Sequence, residues 1–242
     1  DPMDPGIIQK DEEGSCPSFF SYARLPLWDE DYLIPRIREL REMGVTNIYL
    51  KMAGYDRRDL ERVLRLGSEA GVDMITFDGA GGGTGYSPNK MMNEWGLPAI
   101  LMQEALSGIV KKMKEENLPL PAITMTGGFS SEDQVFKSLA LGDGAVTAVG
   151  LCRAAMAAAM TGKTIGEEIR AGRVPKLFRS FGQTVDEIYA DLADLRSIYG
   201  RQANHFSLGA VGVFSYLNKI AFGLKHLAAL NRKFDIARLD RS

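Results

Sequence analysis

The chain has 242 residues, 45% of them hydrophobic, with 29 Lys and Arg against 31 Asp and Glu, the composition of an ordinary soluble globular protein. A formal charge of −2 supplies no basic field to hold a polyanionic backbone, which argues against nucleic acid as a partner. Two cysteines, Cys16 and Cys152, make neither a disulfide framework nor a cysteine-rich metal or iron–sulfur site, and no run of about 18 apolar residues spans a bilayer, so the expectation is a cytoplasmic protein with no membrane partner.

In chain order, residues 1–17 are rich in Pro, Gly and acid and are expected to form a loosely ordered lead-in. The acidic start at Asp1, rather than a Met or a basic and apolar signal peptide, fits a processed, trimmed or partial product. A weak strand is expected over 19–23, then a helix from about Asp31 to Met43 ending at Gly44, and a strand from Asn47 to Met52. Leu60, Val63, Leu64 and Ala70 share one face of the next helix, and Gly71 ends it before a strand at Asp73–Phe77. After a glycine-rich loop from Asp78 to Ser87, the pattern predicts a helix over about 100–116 and a strand at Ala122–Met125. A helix capped by Ser130 or Ser131 and stopped by Gly142 follows, then a last strand at Ala145–Val149.

Strands alternating with helices of ten or more residues imply right-handed crossovers and a parallel α/β sheet. The alternation stops near residue 150, where an Ala-rich helix begins, and the remainder reads as a helical tail. A complete eight-stranded barrel takes roughly 250 residues, so the expected architecture is a partial (βα) barrel over 18–165 with a helical extension over 166–242.

Three features carry chemistry. In the stretch Asp78 to Pro88, bare backbone follows a buried strand, where ligands of parallel α/β folds bind and where glycine lets amides approach a phosphate, carboxylate or flat ring. The strand ends Thr126-Gly127-Gly128 and Val149-Gly150-Leu151 each meet a helix, the pattern of an anion pocket that Arg153 could reach, although each glycine also serves as a plain turn. Lys51 is a lone charge ending an apolar strand; it either snorkels to solvent or faces a ligand cavity. His205 and His226 have no cysteine or carboxylate at ligand spacing, so no metal site is expected.

Taken together, Ile48–Met52 with its lysine, Asp78-Gly79-Ala80 with Gly82-Gly83-Thr84-Gly85, Thr126-Gly127-Gly128 and Gly150–Ala154 resemble the FMN-binding synthase domain of the glutamate synthase family, in particular its shorter archaeal-type members. The resemblance covers roughly residues 18–165 and matches the later strands of that family's barrel, the half that binds the FMN phosphate. It implies an oxidoreductase that reductively aminates 2-oxoglutarate to L-glutamate, using ammonia, free or released from glutamine, and an electron-donor protein or subunit. Lys51 then matches the strand-end lysine beside the flavin, where its charge stabilises the reduced, anionic ring, and so becomes both catalytic and cofactor-binding. Gly127, Gly128, Gly150, Leu151 and Arg153 match the cofactor's phosphate site, and Gly82, Gly83, Thr84 and Gly85 the substrate loop. Gly81 stands where the family loop has an acid, the iron–sulfur cysteines have no counterpart beyond Cys152, and neither the first three barrel strands nor a glutaminase part is found. Two other readings share the pocket: a non-catalytic half-barrel that assembles with a chain supplying the missing strands, and a different FMN or phosphate-binding barrel enzyme.

Overall fold

The computed structural model describes residues 5–15, 29–53, 56–80 and 96–240. Four strands, β1 (Tyr49–Ala53), β2 (Met74–Asp78), β3 (Ala122–Thr126) and β4 (Val146–Val149), form one sheet in the order β1-β2-β3-β4, and every pairing is parallel. The expected weak strand at 19–23 lies outside the described residues.

Helix α1 (Pro5–Glu12) occupies part of the lead-in that the composition marks as loosely ordered. Its first position is Pro5, whose fixed φ suits a helix start, and a side-chain bond from Gln9 to Glu13 spans its last turn. Next come α2 (Glu30–Glu42), α3 (Arg57–Ala70), α4 (Ala99–Glu115) and α5 (Glu132–Leu141). Asp29 and Asp56 cap α2 and α3 by accepting from the amides of Tyr32 and Asp59, and Gly71 ends α3 in the left-handed conformation.

Because spatial strand order follows chain order and such crossovers are right-handed, the connecting helices must lie on one face of the sheet. The contacts agree: α2 packs on α3, α3 on α4 and α4 on α5. Leu50, Met52, Ile75, Phe77, Ile123 and Met125 alternate onto that face and share one core with Leu60, Leu64, Met102, Leu106 and Ile109. Registered pairs Leu50–Ile75–Ile123 and Met52–Phe77–Met125 run across it in rows. The opposite face carries Tyr49, Lys51, Met74, Thr76, Thr124 and Thr147, with Tyr49 and Thr147 exposed. Among the described residues the connecting helices lie on one face of this four-stranded parallel sheet, the form of part of a (βα) barrel.

At the amino-terminal end of the sheet, Arg41 gathers several segments. Its guanidinium donates to the carbonyls of Thr46 and Gly71 and to Asp73 Oδ2 at 2.7 Å, and Asp73 Oδ2 also accepts the Ile48 amide at 2.7 Å.

Helix α6 (Arg153–Arg170) runs through the expected domain boundary at 165. Beyond it are the short α7 (Val185–Ile188), then α8 (Leu192–Tyr199) and the 23-residue α9 (Leu208–Leu230). Helix α9 crosses α6 at close range because small residues face each other: a Cβ on Gly212 would lie 2.6 Å from the Ala158 carbonyl oxygen. Ile169, Val174, Tyr189, Leu192, Leu195, Leu208 and Val211 make a second, smaller core in the tail. Ile220 and Leu239 join the first core, and the Tyr216 hydroxyl donates to the Ser130 carbonyl at 3.0 Å, so the tail is fastened to α5 beside β4.

Candidate functional site at the carboxyl ends of the strands

Ladder hydrogen bonds continue past the strand ends. The Gly79 amide donates to the Thr126 carbonyl at 2.9 Å, and the Gly150 amide donates to the Met125 carbonyl at 2.8 Å. The turns after β2, β3 and β4 therefore lie side by side. At the centre Gly127, with φ of +107°, rests on Gly79 so closely that a Cβ would sit 2.5 Å from the Gly79 nitrogen. Gly128 also has positive φ, +84°, and open space where a side chain would be. Backbone thus replaces side chains along this rim.

Lys51 lies on the open face of β1, and its ammonium sits 2.7 Å from Asp78 Oδ2. In the parallel register Lys51 pairs with Thr76, so Asp78 is the diagonal neighbour two residues further along the same face. The exposures are unequal: the lysine side chain is 53% exposed and the aspartate side chain 7%. Neither sequence alternative for Lys51 includes this partner. The signal was nonetheless present, since both residues are single charges in adjacent apolar strands, although pairing extends β1 to Ala53 and so makes Lys51 its middle residue rather than its end.

Gly150 and Leu151 follow β4 directly, and Leu151 packs partly into the main core. Arg153 opens α6 and is exposed, as is Cys152, whose side chain provides no cap to that helix. The orphan amides of the first turn of α6 accordingly keep their positive potential, and that turn contains no acidic residue. Helix α5 differs, because Glu132 and Asp133 occupy its first turn. A hydrogen bond from the Ser131 hydroxyl, with Lys137 beside it, holds the Asp133 carboxyl down at about 2, so this helix end carries its own anion. Gly82, Gly83, Thr84 and Gly85 lie outside the described residues.

A cavity of about 220 Å³ lies between α4, α5 and the turn after β3, lined in part by Gln103, Gly127, Gly128, Phe129, Lys137 and Ser138. It touches the first glycine turn but not Gly150 or Leu151. A wider groove of about 620 Å³ is formed within the single stretch 232–240 and includes no strand end. Among the described residues, no three His, Cys, Asp or Glu side chains group as a metal site, and no helix is long and apolar enough to cross a membrane.

The parallel sheet, its one-sided helical layer and its glycine-lined carboxyl rim define an α/β protein of partial-barrel form. Residues 26–163 match the family model described as the conserved region in glutamate synthase, and the chain belongs to that family. It is 28% identical over 167 residues to the archaeal-type glutamate synthase [NADPH] of Dehalococcoides mccartyi, covering 60% of this chain and 32% of that protein. The corresponding protein of Thermotoga neapolitana is 28% identical over 177 residues, covering 64% and 34%. The archaeal glutamate synthase [NADPH] of Archaeoglobus fulgidus is 28% identical over 164 residues, covering 60% and 31%. The chain therefore spans about a third of the length of these curated relatives.

Proposed function

We propose that this chain is the phosphate-binding half of an FMN site in a glutamate synthase-type oxidoreductase that converts 2-oxoglutarate and ammonia to L-glutamate. The observation that carries the reading is the Lys51 cation, carried by the middle of β1 and paired to the almost buried aspartate that ends β2, beside the glycine turns after β2, β3 and β4. FMN, when bound, supplies the hydride for reduction of the imine formed from the oxo acid and ammonia.

The residues present suit that cofactor. Gly127, Gly128 and the backbone at Gly150 and Leu151 would hold its phosphate together with the uncapped, acid-free start of α6 and Arg153. The amino end of α5 is the poorer choice because Glu132 and Asp133 would repel the anion. Lys51 would hold positive charge where negative charge collects during reduction, a stabilisation that is larger the more water is excluded. Gly82 to Gly85 would line the substrate side, with Gly81 contributing no charge. The relatives' names carry NADPH, which on this reading is the source of electrons, delivered through a donor protein or subunit.

A second reading, a half-barrel that becomes competent only with a partner supplying further strands, is favoured by the exposure of Tyr49, Lys51 and Thr147 on the sheet face opposite the helices. The absorbance spectrum separates the two. Weak yellowing of the chain alone when FMN is supplied supports the first, whereas a colourless chain that turns yellow only with a strand-supplying partner supports the second. Absence of flavin from both preparations, with FMN supplied, would overturn the cofactor assignment.

A further inference from the structure

We propose that Asp78 is a positioning residue for Lys51, fixing the ammonium at the strand-end rim. This assignment rests on the reading of Lys51 as the cation beside the flavin and adds a partner to it.

A lysine head group on a four-carbon stem is mobile, and holding it in one place costs rotamer entropy. More than half of the Lys51 side chain is exposed, so packing does not hold it. Asp78 does. Its Oδ2 lies 2.7 Å from Lys51 Nζ, its side chain is 7% exposed, and its backbone is fixed on both sides. Asp78 itself pairs in register with Ala53 and Thr126, and the next residue, Gly79, donates its amide to Thr126. The carboxylate is therefore the rigid member of the pair and the lysine the mobile one. An exposed ion pair between two flexible chains contributes little, but here one partner is nearly withdrawn from water and preorganised, which strengthens the attraction and directs it. Because Asp78 ends β2 at the turn on which Gly127 rests, the lysine, the first glycine turn and the second are referenced to one piece of backbone.

Lysine reactivity tests this directly in the full chain without flavin. Limiting acetylation with acetic anhydride, quantified residue by residue by mass spectrometry, compares Lys51 with Lys163, which is 72% exposed and 4.0 Å from its nearest carboxylate. A held Lys51 reacts several-fold more slowly than Lys163. Asp78→Asn brings Lys51 to the Lys163 rate while Lys163 itself is unchanged, and Asp78→Glu keeps most of the protection. A general loss of structure would instead raise every lysine together; if Asp78→Asn does so, the wild-type ratio and the Asp78→Glu chain decide. Equal rates for Lys51 and Lys163 in the wild type, or a Lys51 rate indifferent to Asp78→Asn in a folded chain, overturn the proposal. Failure of the cofactor reading is distinguishable: Lys51→Ala would then leave the flavin affinity of a competent assembly unchanged while the labelling ratio persists.

Discussion

The two faces of the sheet are built from alternate residues of the same strands and meet opposite surroundings. On the helix side Ile75, Phe77, Ile123 and Met125 are fully buried, and the rows they form explain why short strands of four or five residues are stable. On the other side Thr76 and Thr124 alternate with them, Lys51 and Tyr49 are exposed, and Asp78, the one well-buried charge among the described residues, has a cation as its partner. The first face is organised for stability, and the proposed site lies on the second. Exposure on this second face is confined to the edge strands, at Tyr49, Lys51 and Thr147, whereas Thr124 and Asp78 of the central strands are buried. Polar residues at its exposed edges fit the proposed meeting with ligand and further polypeptide.

Phe77 and Thr76 are adjacent and point to opposite faces, so they give the sharpest contrast. Phe77→Ala should cost about 3–5 kcal/mol in urea unfolding, and Thr76→Ala about 0.5 kcal/mol or less. Similar losses at both positions would break the distinction between the faces. Gly127→Ala should cost about 2 kcal/mol in thermal or urea unfolding, since a side chain is forced into positive φ against the Gly79 backbone. A neutral substitution there would mean that the turns after β2 and β3 are not in contact.

At the far end of the sheet, the Ile48 amide, followed by the Arg41 guanidinium, holds the Asp73 carboxyl below its ordinary range. A carboxyl whose folded pKa lies below its unfolded value of about 3.9 contributes stability above that value and loses it as pH falls through the folded one. Wild type should therefore exceed Asp73→Asn in stability by a constant margin near neutral pH, and the margin should narrow below about pH 4. A margin unchanged down to pH 2 would contradict the assigned hydrogen bonds. On the opposite face, Lys51→Ala leaves the nearly buried Asp78 without its cation and should cost about 1–3 kcal/mol, less than Phe77→Ala, while weakening flavin binding in a competent assembly. A loss as large as that of Phe77→Ala would assign this pair to the fold rather than to the site.

Much of this contrast was legible in the sequence. The 3.6-residue spacing of Leu60, Val63 and Leu64 and the short apolar runs at 74–77 and 122–125 are local signals, and local hydrogen bonding turned them into α3, β2 and β3 nearly as read. Strand boundaries shifted by a residue or two because pairing, not composition, ends a strand: Asp78 looks like loop but pairs with Thr126. The helix at Pro5–Glu12 was hidden by acid and Pro-rich composition, although a proline is well placed at a helix start. The helical pattern of the tail is local, but its attachment through Gly162, Gly212 and Tyr216 depends on contacts far apart in sequence. The same limit applied to the site. Lys51 stood out alone, whereas its pairing with Asp78 across 27 positions required knowledge of the β1–β2 register.

The central claim is that the open face and the glycine rim are half of a flavin site, and titration of the 242-residue chain with FMN, followed by flavin fluorescence, tests it most directly. The account predicts weak binding without an equimolar end point, together with no turnover of 2-oxoglutarate and ammonia in the presence of a reductant. A sharp one-to-one end point with turnover by the chain alone would contradict it, because this chain would then suffice for the whole site.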